Sequence, residues 1–122
     1  MAQLLVVEDD EQVRVLVESF LEAGGHETLS AATIEQALAL LENEQHQIDL
    51  MVTDLNLQGD PEAGLKLANK AVELRPNLKV LYTSGQGVTD GMIQLFVGKS
   101  AYLPKPFTGD QLATMLRIKF GF

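Results

Sequence analysis

Five positions in this sequence could act together on one phosphoryl group: Asp54, the adjacent pair Glu8 and Asp9, Ser84, and Lys105. Asp54 closes the run Ile48–Asp54, whose apolar centre (Leu50, Met51, Val52) holds no turn residue and suits a strand covered on both faces. A polar loop with Gln58, Gly59, Asp60 and Pro61 follows it. Glu8 and Asp9 follow the apolar Leu4–Val7, Ser84 follows Leu78–Thr83, and Lys105 follows Ala101–Leu103. Each therefore stands at the C-terminal end of an expected strand. Glu8, Asp9 and Asp54 would place three carboxylates in one pocket, where two of them about 4 Å apart repel by on the order of 4 kcal/mol at a near-surface dielectric. A divalent cation relieves that repulsion, and oxygen donors without Cys or His suit magnesium or manganese. A carboxylate nucleophile, a hard cation, a hydroxyl and an ammonium are what phosphoryl transfer needs: an in-line acceptor and fixed positive charge on the equatorial oxygens.

Taken singly, each residue has a plainer reading. Glu8–Asp9–Asp10 is a solvated helix start that suits the helix dipole, Ser84 a turn hydroxyl, and Lys105 a surface lysine. The convergence outweighs these. The flanking Pro104 and Pro106 fix the backbone around Lys105, and the Lys105–Pro106 bond could be cis.

The elements that must position these residues alternate along the chain. Asp10 can cap a helix whose apolar stripe is Val13, Leu16, Val17, Phe20 and Leu21, and Gly24–Gly25 ends it. Glu27–Ser30 reads as a weaker edge strand. Thr33 and Gln36 have capping-box spacing ahead of Ile34, Ala37, Leu38 and Leu41. Asp60 and Pro61 are expected as N-cap and first position of a third helix lined by Leu65, Ala68 and Val72. A short helix is expected over Val88–Val97, and a second capping box, Thr108 with Gln111, opens the last helix. Five strand–helix pairs with short connections predict an α/β fold, a doubly wound parallel sheet with helices on both faces. The common strand order for five strands is 2-1-3-4-5, with ligands bound beyond the strand ends near the switch between the first and third.

A chain of 122 residues without internal repeat or linker suits one domain spanning 1–122. The net charge of −8 argues against direct nucleic-acid contact or an anionic membrane surface. No cysteine is present, which removes disulfides and thiolate chemistry. The longest apolar run, Ala37–Leu41, is far too short to cross a bilayer. No basic segment precedes the first apolar stretch, so no signal peptide is expected and a cytoplasmic location is.

Four segments carry a family resemblance: Leu4-Leu5-Val6-Val7-Glu8-Asp9-Asp10, Val52-Thr53-Asp54-Leu55-Asn56-Leu57, Leu81-Tyr82-Thr83-Ser84-Gly85 and Ala101-Tyr102-Leu103-Pro104-Lys105-Pro106-Phe107. In that order and at those separations, the chain resembles a response-regulator receiver domain over essentially its whole length. The resemblance implies a flavodoxin-like sheet and a two-component or phosphorelay signalling role. It implies that Asp54 is the phosphoacceptor, and that Glu8, Asp9, Asp54 and the backbone carbonyl of Asn56 hold Mg2+, with Mn2+ as an alternative. Ser84 resembles the switch hydroxyl, Lys105 its salt-bridge partner, and Tyr102 the aromatic that changes rotamer. Asn56 and Gln86 would tune self-dephosphorylation. The implied partners are a histidine kinase or histidine phosphotransfer protein and a downstream output. The output would be read through the face of the fourth helix, fifth strand and fifth helix. A signalling domain rather than an enzyme with a separate substrate is implied. The Tyr-Thr-Ser-Gly and Tyr-Leu-Pro-Lys-Pro-Phe segments look most like receivers attached to hybrid histidine kinases.

The sequence departs from the family pattern at Glu8, commonly Asp; at Ser84, commonly Thr; and at Gln58, often Pro. Three other readings compete. A pseudo-receiver would bind partners without taking phosphate. A nucleotide binder on the same fold would use Gly85–Gly91, but that stretch follows the fourth strand rather than the first and its last spacing is one residue too long. A haloacid-dehalogenase-type phosphatase wants a second Asp where Asn56 stands. His26 and His46 are expected to be solvated. Met92, Ile93, Leu95 and Phe96 are expected to be partly core and partly a partner face. Phe120 and Phe122 either pack back on the fold or mark a cut end.

Overall fold

The computed structural model describes residues 3–122. The expected domain start takes in Met1 and Ala2, which lie outside the described residues. Five strands, β1 (Gln3–Val7), β2 (Glu27–Ala31), β3 (Ile48–Asp54), β4 (Lys79–Ser84) and β5 (Ser100–Pro104), alternate with five helices. These are α1 (Glu11–Ala23), α2 (Ile34–Glu42), α3 (Ala63–Leu74), α4 (Asp90–Gln94) and α5 (Gly109–Phe120). The sheet is parallel throughout, in the order β2-β1-β3-β4-β5. This is the expected doubly wound topology.

Alternation along each strand divides the core in two. Leu4, Val6, Leu50, Val52 and Leu81 pack with Val17 and Leu21 of α1 and Leu112 and Leu116 of α5. Leu5, Val7, Met51, Val80 and Tyr82 pack with Ala37 and Leu41 of α2 and Leu67, Ala68 and Ala71 of α3. Strands buried on both faces explain why Leu4–Val7 and Leu50–Val52 read as continuous apolar runs. Phe120 is buried in the first of these clusters and Phe122 packs against it.

Caps match the expectations in most places. Asp10 accepts from the N–H groups of Gln12 and Val13, and Thr108 with Gln111 forms a complete capping box. Thr33 accepts from the Gln36 N–H, but the Gln36 side chain takes the Ala32 N–H instead, so that box is half-formed.

The start of α3, the extent of α4 and the two histidines depart from the sequence expectation. Asp60 is not the N-cap of α3. Its N–H and C=O both pair with Leu57 across a tight turn, and Gln58 (φ +54°) and Gly59 (φ +83°) make that turn in the left-handed region. With its backbone held there, the helix begins three residues later at Ala63, and Asp60 instead bonds the Glu62 N–H and Lys66. The helix expected over Val88–Val97 shrinks to Asp90–Gln94. Phe96 stacks on Tyr82 with ring centroids 4.2 Å apart, and the Tyr82 hydroxyl accepts the Val97 N–H, which draws the chain out of helical register. His26 is half-buried rather than solvated, edge-on to Phe122 with its Nδ1 unpartnered, because the C-terminal residues fold back over it. His46 is also only partly exposed.

One close approach fixes α3 against the end of β3. The Gly64 N–H donates to Leu55 O at 2.9 Å, and a Cβ on Gly64 would overlap Asp54 O and lie 2.8 Å from the Leu55 Cα. Only a residue without a side chain fits between the helix start and this backbone. Gly64→Ala is therefore expected to cost about 1–3 kcal/mol, measured as a lower urea midpoint. An unchanged midpoint would show that α3 can move away without loss.

Candidate functional site

The mouth of the site forms where β1 and β3 diverge, because the chain leaves β1 toward one face of the sheet and returns to β3 from the other. Glu8 follows β1 directly, and its N–H donates to Ala31 O at the end of β2. Asp54 is the last residue of β3 and Ser84 the last of β4, while Lys105 follows β5 and donates its N–H to Ser84 O. Glu8, Asp9, Asp54, Asn56, Ser84, Gln86 and Lys105 line one pocket of about 300 Å³. Every expected site residue except Tyr102 is there.

Lys105 ties the carboxylates together. Its Nζ lies 2.6 Å from Glu8 Oε2 and 2.9 Å from Asp54 Oδ2. The Lys105–Pro106 bond is cis. Glu8 is 4% exposed, Asp54 8% and Ser84 6%. Burial pushes the Glu8 carboxyl from 4.5 up to about 6, although its bonds from Lys105 and the Asp10 N–H work in the opposite direction. Burial pulls the Lys105 ammonium down, but its bonds to Glu8 and Asp54 outweigh this and leave it raised. The ammonium is therefore charged at neutral pH.

Backbone donors hold the remaining oxygens. The Asn56 N–H reaches Asp54 Oδ1 (3.2 Å), and the Gln58 N–H reaches Asp9 Oδ2 (2.8 Å). The Arg14 Nη1 donates to the Glu8 backbone carbonyl at 2.9 Å. Ser84 Oγ accepts the Gln86 N–H at 3.0 Å. Tyr102 lies outside the pocket but is joined to it, since its hydroxyl donates to Gln86 O (3.2 Å) and, at 3.5 Å, approaches Ser84 O. Sequence reasoning missed Gln58, Arg14 and Gly64 as supports. A non-proline at position 58 was the available signal for the first, because it leaves an N–H free to bond Asp9.

The donor set fits a small hard cation. One oxygen each from Glu8, Asp9 and Asp54 lie within 4.8 Å of one another. Magnesium takes carboxylate oxygens at about 2.0–2.1 Å and keeps several waters, so few protein ligands suffice. Lys105 supplies the balancing charge between two of these groups.

Comparison with known proteins places this arrangement in a family. The model of the response regulator receiver domain matches residues 4–117. The phosphate regulon transcriptional regulatory protein PhoB of Pseudomonas aeruginosa is 32% identical over 117 residues, which cover 93% of this chain and 49% of that protein. The crystal structure of the receiver domain from the hybrid histidine kinase CckA superposes with a TM-score of 0.79 at 30% identity, covering 97% of this chain and 98% of that one. A CheY-like receiver domain protein from Methanospirillum hungatei gives 0.82 at 27% identity, covering 96% and 91%. The chain belongs to the response regulator receiver domain family of two-component signalling. It spans about half the length of its PhoB relative. Among the described residues no helix is long and apolar enough to cross a membrane.

The burial of Glu8 makes a measurable difference. Because its carboxyl sits near 6 in the folded chain and near 4.5 unfolded, the native state holds more proton between those values. The contribution of this group to stability therefore falls as pH rises through that window, by roughly 2 kcal/mol in all. Carbon-13 NMR of the Glu8 carboxyl in metal-free buffer is expected to show a midpoint near 6; a midpoint at 4.5 would mean that water reaches the group freely.

Proposed function

We propose that this chain is a phosphorelay receiver, residues 1–122, that takes a phosphoryl group from a phosphohistidine donor onto Asp54. The observation that carries this reading is Lys105, whose ammonium lies 2.9 Å from Asp54 Oδ2 at the same mouth as Ser84 and the carboxylate cluster. Glu8, Asp9, Asp54 and the Asn56 backbone carbonyl would hold Mg2+, or Mn2+ in its place. Bound there, the cation would neutralise negative charge on the transferring phosphoryl oxygens. An Asp54 oxygen attacks phosphorus in line. The P–N bond to the donor imidazole breaks, and the imidazole keeps the electron pair and picks up a proton. Lys105 stabilises the charge that builds on the equatorial oxygens.

The acyl phosphate adds roughly −1.5 to −2 of charge. Ser84 releases the Gln86 N–H and turns its hydroxyl to the phosphoryl group. Tyr102, bonded to the carbonyls of the same turn, then moves inward, and the α4-β5-α5 face changes its affinity for an output partner. Asn56 and Gln86 set the path of the water that hydrolyses the phosphoryl group. The chain acts as a cytoplasmic signalling domain without turnover of a separate substrate, without direct nucleic-acid contact, and with a histidine kinase or phosphotransfer protein upstream.

One observation favours a second reading. Lys105 bonds both Glu8 and Asp54, and a structural ion-pair cluster of this kind is also what a phosphate-independent interaction module would carry. Intact mass after incubation with Mg2+ and acetyl phosphate separates the two. A gain of one phosphoryl group is expected in the parent and none in Asp54→Asn; labelling of the Asn variant would overturn the assignment. If the parent gains nothing and also fails to bind beryllofluoride with Mg2+, the interaction-module reading stands. Lys105→Met is expected to slow acceptance about 100-fold, read from the rate of mass gain. An undiminished rate would remove Lys105 from the chemistry.

A further inference from the structure

The carboxylates of Glu8, Asp9 and Asp54 carry six oxygens, and five of them accept a hydrogen bond within the described residues. Glu8 takes the Asp10 N–H on Oε1 and Lys105 on Oε2. Asp54 takes the Asn56 N–H on Oδ1 and Lys105 on Oδ2. Asp9 takes the Gln58 N–H on Oδ2 at 2.8 Å, and among the described residues no donor reaches its Oδ1. Glu8 and Asp54 are also restrained by burial, whereas Asp9 is exposed. The Gln58 N–H is therefore what restrains the Asp9 carboxylate.

That donor is a product of the turn it sits in. Leu57 and Asp60 pair through both of their backbone groups, so Gln58 and Gly59 close a two-residue hairpin with φ of +54° and +83°. Those angles match a type I′ turn, whose two central N–H groups take no part in the pairing. Leu57 is buried and anchors the turn to the core. The Gln58 N–H is thus left outside the hairpin, where it meets a carboxylate 49 residues earlier in the chain. A proline at this position would have no N–H to offer and a fixed negative φ that the turn excludes.

We infer that the Gln58 N–H makes this site select Mg2+ over Ca2+, by leaving Asp9 a single free oxygen. The inference rests on the reading of Glu8, Asp9 and Asp54 as the metal cluster. Magnesium keeps several waters and needs few protein oxygens, whereas calcium takes about six to eight oxygens and often grips a carboxylate through both of its own. Such a grip needs two uncommitted oxygens on one side chain. Glu8 and Asp54 each have both oxygens bonded. Asp9 is the carboxylate that could supply a second oxygen, and it does so only if the Gln58 N–H lets go. Gln58 is thus a positioning residue that acts through Asp9, and its backbone rather than its side chain carries the effect.

The test removes one N–H and keeps the turn. Gln58→Gly retains the N–H and suits the positive φ. Its ester analogue, with glycolic acid in place of that glycine, puts an oxygen where the N–H stood. Competition against Mn2+, followed by electron paramagnetic resonance of the free ion, gives Kd for Mg2+ and for Ca2+ with each chain, and circular dichroism confirms the fold. Gln58→Gly is expected to keep the parent's ratio of the two constants. In the ester, Ca2+ is expected to gain about tenfold on Mg2+, and the carbon-13 signal of the Asp9 carboxyl should shift in metal-free buffer. A bond that only supports the fold would weaken both ions alike, so an unchanged ratio in the ester overturns the inference. A second measurement needs no ester. In the parent, saturating Mg2+ should leave the Gln58 amide proton slow to exchange, whereas saturating Ca2+ should release it. Release by Mg2+, or protection under both ions, overturns the inference while the metal cluster stands. Failure of the parent to bind either ion would instead bring down the metal cluster, and the inference with it.

Discussion

A single ammonium decides whether this fold is tenable at its mouth. The winding of the chain delivers Glu8 from β1 and Asp54 from β3 to neighbouring positions, both nearly buried. Two carboxylates desolvated side by side would each resist ionisation. Lys105 enters from beyond β5 and lies within 3 Å of both. Glu8 is almost fully buried, so little solvent is left to share the charge, and that burial pushes its carboxyl up. The backbone donors at Asn56 and Gln58 complete the arrangement by fixing the oxygens that Lys105 does not reach. Protein groups thus fix the carboxylate cluster on every side that they reach, and fixed donors and charges of this kind are what electrostatic preorganisation requires.

Much of this was legible from residue types alone. The alternation of apolar runs with capped amphipathic stretches defines the sheet order, because both patterns have fixed periods and right-handed crossovers leave few topologies. Glu8, Asp9, Asp54, Ser84 and Lys105 were readable as a set, since each stands at a strand end and the fold gathers strand ends. What was not legible depends on contacts between distant residues. The short α4 follows from Tyr82 capturing the Val97 N–H, fifteen residues away in the chain. The late start of α3 follows from the Leu57–Asp60 pairing, which overrides a good N-cap sequence. The burial of His26 follows from where Phe122 comes to rest. Helical propensity and capping rules have no access to any of these.

Glu8 and Lys105 are separated by 97 residues, yet they form the shortest ion pair at the mouth. During synthesis the acidic residues leave the ribosome long before their cation does, and domains fold as units once enough chain is available. A nascent or truncated chain that lacks β5 holds every carboxylate but no Lys105 to balance them. The mouth is therefore complete only once β5 has joined the sheet and brought Lys105 within reach of Glu8 and Asp54.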